Sequence, residues 1–214
     1  MGFSPNRITS IWKQKGLKLS KLYYRPISLL PTLSKIIESI IHNRLLSHFA
    51  KNNVISHRQA AYLKGDSTTH QLLYLVHYIR LAWQNGKVVQ AIFLDVEGAF
   101  DKFWHLGLFA KLDQVSVTGK CFDLFKSYLT NRRQVTVVDG VKSEVRHVMA
   151  GIPQGSKLGP LLFILYINDI QNELESEILI YADDTTLLAS GANPAESADM
   201  LNRDLCKISR WAET

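Results

Sequence analysis

The pattern of apolar residues predicts an α+β fold with a mixed or antiparallel sheet covered by helices. Three observations carry that prediction. Two amphipathic helical stretches come first, strand-like runs and helices then alternate, and strong turn signals separate the strand-like runs. At 214 residues, with 46% hydrophobic and 21% charged residues, the chain can bury a real core.

The elements follow in order. Segment 1–22 is basic and reads as irregular. Residues 31–49 form the first helix, with Leu33, Ile36, Ile37, Ile40, Ile41 and Leu45 on its apolar stripe and Lys35, Glu38, His42 and Arg44 off it. Ser67 is an N-cap for a second helix whose stripe is Leu72, Val76, Ile79 and Trp83, closed by Gly86. The run "VVQAIFLD", residues 88–95, is a strand ending in an acid. Helical periodicity returns over 100–112 and again over 121–129. "QVTVVDGVKSEVRHV" reads as two strands about the turn dipeptide Asp139-Gly140. A loop over 150–159 opens an apolar helix at 161–170. The hairpin "ILIYADDTTLLAS" comes next, and 195–211 is the last helix.

Composition excludes several classes. Two cysteines, Cys121 and Cys206, without neighbouring ligands argue against a disulfide scaffold or a zinc site, and no His pair has metal-binding helical spacing with a glutamate. The longest apolar run is far short of the ~20 residues that cross a bilayer, so no membrane partner is expected. Met1-Gly2 lacks the Ser or Thr of a myristoylation signal, because Asn6 stands there. The net charge of +6 admits a polyanionic partner.

The chemistry centres on three acids. Asp183 and Asp184 lie at the tip of a mostly buried hairpin, where Asp-Asp is a poor turn choice and adjacent like charges resist ionisation unless a cation stands between them. A hard divalent cation on oxygen ligands is the usual solution; an exposed acidic turn is the plain alternative. Asp95, at the end of its strand, supplies a third carboxylate if the two strands pair, although taken alone it reads first as a helix N-cap after a strand, a common arrangement. The loop "AGIPQGSKLGPLLF" invites a phosphate-binding reading, but Ser156 precedes Lys157 and Pro153 interrupts it, so it is not a P-loop. Its glycines allow backbone to approach a base pair or nucleotide with Gln154 as the bonding amide. Alternatively it is a tight turn capped by Ser156.

"FLDVEGAFDKFWH", "GIPQGSKLGPLLFILYINDI" and "YADD", in that order, resemble the palm motifs of reverse transcriptases. "YYRPISLLPTLSKIIESIIHNRL" and "GDSTTHQLL" narrow the resemblance to the non-LTR (LINE-type, Jockey-like) retrotransposon polymerases. It runs from about Tyr23 to the end of the chain.

The resemblance implies a right-hand polymerase fold: fingers over 23–87, palm over 88–214, and no thumb, with the chain truncated at both ends. It implies an RNA-directed DNA polymerase that uses an RNA template, a DNA primer and deoxynucleoside triphosphates, within the cell and in the nucleus. Asp95, Asp183 and Asp184 would be catalytic and hold two Mg²⁺ ions, or Mn²⁺, with Asp184 in the lesser role. Phe100 would exclude a ribose 2′-hydroxyl, or is a core Phe. Gln154 and Gly155 would line the nascent base pair, Arg25 would contact the triphosphate, and Tyr181, Gly151 and Pro153 would lie near primer and template. Tyr181 also reads as an ordinary buried strand residue.

Some positions depart from the family. Ala61 stands where Gly is usual, Leu63 where Arg is common, and Gly98 is atypical within the first palm motif. A viral-type RNA-directed RNA polymerase would favour Gly-Asp-Asp and a polar residue in place of Phe100. A remnant that binds nucleic acid without catalysis is the alternative from another class.

Overall fold

The computed structural model describes residues 6–12, 24–96, 98–138 and 140–213. The described elements are β1 (Asn6–Trp12), β2 (Tyr24–Leu29), α1 (Thr32–Lys51), α2 (Thr68–Gln84), β3 (Val88–Asp95), α3 (His105–Gln114), α4 (Gly119–Leu129), β4 (Arg132–Val138), β5 (Val141–Lys142), β6 (Arg146–Val148), α5 (Leu158–Ile167), β7 (Glu177–Tyr181), β8 (Asp184–Gly191) and α6 (Pro194–Glu213). The α+β expectation holds. Two compact units share the chain, one built from Met1–Val54 and Gly98–Phe163, the other from Ile55–Glu97 and Ile164–Thr214, so the division falls inside α5.

The first unit contains a five-stranded sheet in the order β2-β1-β4-β5, with β6 also paired to β4. The segment read as irregular therefore carries a strand over Asn6–Trp12, parallel to β4 and antiparallel to β2; its other residues, and Asp139, lie outside the described residues. The core of this unit is apolar, with Phe49, Phe103, Leu108, Leu112, Phe125, Leu129 and Leu161 buried.

The N-terminal part of the apolar stripe of α1 does not face that core. Leu33, Ile36, Ile37 and Ile40 are exposed, whereas Glu38, Leu45 and Phe49 are buried. Glu38 sets the orientation. Its Oε2 accepts the Lys157 N–H at 2.6 Å, just before α5 begins, and its Oε1 accepts the Tyr128 hydroxyl at 3.1 Å. A carboxylate at a helix N-terminus is favoured by the helix dipole and satisfies one of its orphan donors. The stripe of α2 is likewise largely outward, with Leu72, Val76 and Trp83 exposed, although Ser67 caps it as expected by accepting the His70 N–H.

The second unit is organised by a three-stranded antiparallel sheet, order β3-β8-β7. The central strand β8 buries Thr185, Leu187, Leu188 and Ala189. Helix α6 covers one face, where the Ser197 hydroxyl donates to Gln90 Oε1 at 2.9 Å. A capping pair starts that helix: Asn193 Oδ1 accepts the Glu196 N–H, and the Glu196 carboxylate accepts the Ala192 N–H. Asp204 then ties α6 to the entry of β7. It is fully buried and accepts the amides of Glu175 and Ser176 and the Lys207 ammonium.

Two stability predictions follow from these buried acids. Glu38→Ala leaves the Lys157 amide and the Tyr128 phenol without their acceptor, and urea denaturation is expected to show a loss of about 2 kcal/mol. Burial opposes ionisation of Asp204, but hydrogen bonds from Ser176, Glu175 and Lys207 outweigh it and hold the carboxyl below its ordinary value of 3.8. A depressed folded-state pKa gives stability that is present above the unfolded value and lost as pH falls through the folded one. Thermal melts should therefore show an acid limb below about pH 4 that is flatter in Asp204→Asn.

Candidate active site

Strand pairing places the acids. In the β3/β8 ladder Asp95 is the direct partner of Asp184, and in the β7/β8 ladder Tyr181 is the partner of the same Asp184. Direct partners point to one face of a sheet, with Cα atoms roughly 4.5–5.5 Å apart. Asp95, Asp184 and Tyr181 therefore share the face of the sheet opposite the Gln90 side where α6 packs. The turn is Ala182-Asp183, one residue earlier than the Asp183-Asp184 tip read from the sequence: Asp183 is the second turn residue and Asp184 begins β8. Ala182 carries the turn at φ 57°. Asp95 and Asp184 are exposed and Asp183 is half-buried.

A segment that sequence reasoning passed over fixes this hairpin. Ala60 N–H donates to the Ile180 carbonyl and Ile180 N–H to the Arg58 carbonyl, each at 3.0 Å, so residues 58–60 extend the free edge of β7. Gln59 is buried, and its Oε1 accepts both the Ala61 N–H at 2.9 Å and the Ala182 N–H at 3.1 Å. Arg58 pairs with Glu177 of β7. Tyr62 lies beside the hairpin, its phenol pushed up by partial burial and by the neighbouring Asp183 and Tyr181.

The donor set suits a hard cation. Carboxylates are acceptor-only oxygen ligands, and Mg²⁺ usually takes one or two of them together with water and substrate phosphate, rather than an all-protein cage. Among the described residues no three His, Cys, Asp or Glu side chains stand together as a complete ligand set. The opposed pair Asp95 and Asp184, with Asp183 adjoining, fits the partial mode.

The remaining predicted residues lie in the other unit, around Gly151. Gly151 has φ 83°, and a Cβ there would meet the Asp101 carbonyl oxygen at 2.7 Å and that of Phe100 at 2.9 Å. Gly151 N–H donates to the Phe103 carbonyl and Ile152 N–H to that of Phe100, which joins the loop to the turn after β3. The Gly151 carbonyl accepts both His105 Nε2 at 2.8 Å and Arg132 Nη1 at 2.9 Å. Gln154 Nε2 donates to Asp101 Oδ1 at 2.9 Å, and its carbonyl accepts the Ser28 N–H of β2. Ser156 Oγ accepts the Gly159 N–H, so the helix-capping role foreseen for Ser156 is present as well.

These groups surround a cavity of about 250 Å³ lined among others by Ile8, Ser28, Phe100, Arg132, Gly151 and Gln154. Phe100 stacks on Phe163 at 5.2 Å between centroids, so it contributes to the core and to the cavity wall together. Arg132 is held inside, its guanidinium pKa lowered by burial, and its Nε has no acceptor among the described residues. Pro153 is buried in the same loop, and Gly155 is exposed next to Ile27. Arg25 does not join them: strand alternation puts it on the opposite face of β2 from the cavity-lining Pro26 and Ser28. Asp101, His105 and Arg132 were missed from sequence because their partners are 19 to 53 residues away with no local signature.

The fold is shared with solved polymerase structures. The chain superposes on telomerase from Candida albicans with TM-score 0.63 at 11% identity, covering 94% of this chain and 40% of that one. It also superposes on the RNA-dependent RNA polymerase of a human picorbirnavirus with TM-score 0.54 at 13% identity, covering 94% and 38%. Residues 13–214 match the reverse transcriptase (RNA-dependent DNA polymerase) family, and the chain belongs to it. It is 34% identical over 197 residues to the RNA-directed DNA polymerase from mobile element jockey of Drosophila funebris, covering 88% of this chain and 21% of the relative. The Drosophila melanogaster jockey polymerase is 35% identical over 198 residues, covering 89% and 22%. The Pol polyprotein of the type-1 retrotransposable element R1 of Bradysia coprophila is 33% identical over 182 residues, covering 83% and 17%. The chain thus spans about a fifth of the length of these relatives. No helix among the described residues is long and apolar enough to cross a membrane.

Gly151→Ala tests the loop geometry. The left-handed φ and the two carbonyl contacts both penalise a Cβ, and a loss of about 2 kcal/mol or more is expected in denaturant unfolding.

Proposed function

We propose that this chain is the polymerising core of an RNA-directed DNA polymerase, which extends a primer 3′-hydroxyl on an RNA template with deoxynucleoside triphosphates. The observation that carries the proposal is the direct opposition of Asp95 and Asp184 at the end of β3 and β8, with Asp183 in the adjoining turn. Asp95 and Asp184, with Asp183 adjoining, would hold Mg²⁺, which would supply charge neutralisation at the triphosphate and lower the pKa of the attacking hydroxyl. The acids keep their oxygens available because their face of β3 is open to solvent, as the exposure of Ala91, Phe93 and Asp95 indicates. Tyr181, on that face, supports the primer end, and Gln59 holds the turn that carries Asp183.

In the other unit, Phe100 presses on the sugar and excludes a 2′-hydroxyl, while Gln154 and Gly155 line the nascent base pair. Asp101 takes the Gln154 amide N–H, which leaves the amide oxygen as the group that meets substrate. Gly151 and Pro153 bring main chain close to primer and template. In this reading 23–87 serve as fingers and 88–214 as palm.

Primer extension on an RNA template tests the proposal. Asp183→Ala and Asp95→Ala should each lower the rate about a thousandfold or more, since the groups act on charge that develops in the transition state. Asp183→Ala should also abolish Mg²⁺-dependent deoxynucleotide binding in calorimetry. Extension that survives either substitution, or nucleotide binding equal in wild type and Asp183→Ala, rules the proposal out.

A further inference from the structure

Two residues near the carboxylates hold a backbone conformation that their side chains disfavour. Ala182 has φ 57° and Tyr62 has φ 60°. The left-handed region is unusual for alanine and a true outlier for an aromatic residue. Both turns are tied to one atom. Gln59 Oε1 accepts the N–H of Ala182 at 3.1 Å and that of Ala61, the residue before Tyr62, at 2.9 Å. Asp183 follows Ala182 directly, and the Tyr62 phenol is within electrostatic reach of the Asp183 carboxylate.

Stability alone does not explain a glutamine at this position. Gln59 is 1% exposed, yet its Nε2 has no acceptor among the described residues. A buried donor left unpaired is destabilising, so this side chain carries a cost of its own while it holds two strained turns. Local costs that gather at one place mark positions fixed by function rather than by the fold. The segment that carries Gln59 is itself anchored. Ser56 N–H donates to Asn168 Oδ1 at 2.8 Å and Ser56 Oγ to Gln171 Oε1 at 2.6 Å, Arg58 pairs with Glu177, and Arg58 Nη1 donates to the Tyr74 hydroxyl of α2 at 3.1 Å. Gln59 Oε1 links that fixed base to the turn before Asp183.

We propose that Gln59 is a positioning residue for the divalent-metal site: through the Ala182 amide, its Oε1 fixes where Asp183 presents its oxygens. The inference rests on the function proposed above and adds to the three acids a residue that touches neither metal nor substrate. Mg²⁺ demands near-ideal octahedral geometry, so a small shift of the Asp183 backbone weakens metal binding before it disturbs the sheet. Groups that orient a metal ligand without touching the metal contribute about ten- to a hundredfold in affinity or rate.

The experiment compares wild type with Gln59→Met, Gln59→Asn and Gln59→Glu in the full chain. Methionine keeps the volume and removes the acceptor, asparagine is one methylene too short, and glutamate keeps an oxygen acceptor at the same reach. Amide exchange followed by NMR should be at least about tenfold faster at Ala182 in the Met and Asn variants and unchanged in the Glu variant, with the amides of Leu187 and Leu188 in central strand β8 protected throughout. Should Gln59→Met lose that core protection, Gln59→Asn decides. Mn²⁺ titration followed by electron paramagnetic resonance, taken as the difference from Asp183→Ala, should give a dissociation constant raised about ten- to a hundredfold in the Met and Asn variants and not raised in the Glu variant. In primer extension the Mg²⁺ concentration for half-maximal rate should rise by a similar factor, whereas a merely structural role lowers the fraction of active molecules and leaves that midpoint in place. Metal affinity equal in wild type and in the folded variants that lack the acceptor overturns the inference and leaves the proposed function standing. Mn²⁺ binding that Asp183→Ala does not change overturns that function, and the inference with it.

Discussion

The antiparallel register of β3 on β8 is the constraint on which the carboxylate site rests. A slip of one residue in either strand would send its side chains to the other face. Asp95 would then point toward the α6 side and Asp184 would stand alone. The register is held because the opposite face of β8 buries Thr185, Leu187 and Ala189, and β3 sets Gln90 against the Ser197 hydroxyl of α6. Polar and apolar matching on the α6-covered face therefore decides the geometry of charges on the other one. The acids contribute little to their own placement, since two like charges at opposed positions repel.

A different device organises the cavity unit. There the amides of Gly151 and Ile152 donate to the carbonyls of Phe103 and Phe100, and one carbonyl, that of Gly151, gathers two side-chain donors. Removing polar groups from water is costly unless each finds a partner. His105 and Glu38, both buried, find theirs in the Gly151 carbonyl, the Lys157 amide and the Tyr128 hydroxyl, so they help to shape segments without regular secondary structure. Arg132 is only partly matched, and a buried donor without an acceptor at the wall of a cavity favours whatever ligand brings an oxygen there.

The sequence made many elements legible to within a few residues, including the strand 88–95, the Ser67 cap and the closing helix, but it showed neither β1 nor β2. Those features are local: they rest on side-chain periodicity and on capping chemistry. Helix α3 starts at His105 rather than near 100 because Gly98 O accepts the amides of Asp101 and Lys102 in a turn, and Trp104 takes an extended ψ of 113°. The face of α1 was misread for a further reason. Periodicity identifies an apolar stripe but not what it packs against, and here a buried acid with partners 90 and 119 residues away outweighs four aliphatic side chains. The carboxylates stood out because like charges beside apolar runs are rare. Gln59, Asp101 and Arg132 did not, because an isolated polar residue in a loop or strand carries no sign of a distant carbonyl.

Gln59 also accounts for a turn that propensity disfavours. An alanine at φ 57° carries a cost of about 1–2 kcal/mol relative to the right-handed region, and Ala182 is buried, so water does not satisfy its amide. The Gln59 amide oxygen satisfies it, and the same oxygen binds Ala61 N–H, so one side chain couples the 58–62 segment to the hairpin turn. With the Ile180 carbonyl accepting the Ala60 N–H and the Ile180 N–H donating to the Arg58 carbonyl alongside, the turn cannot relax without breaking the edge pairing of β7. Asp183 follows Ala182 directly. Its position is therefore set by a strained backbone that three neighbouring hydrogen bonds hold in place, a rigid mount for a group that must meet a cation and a phosphate within a fraction of an ångström.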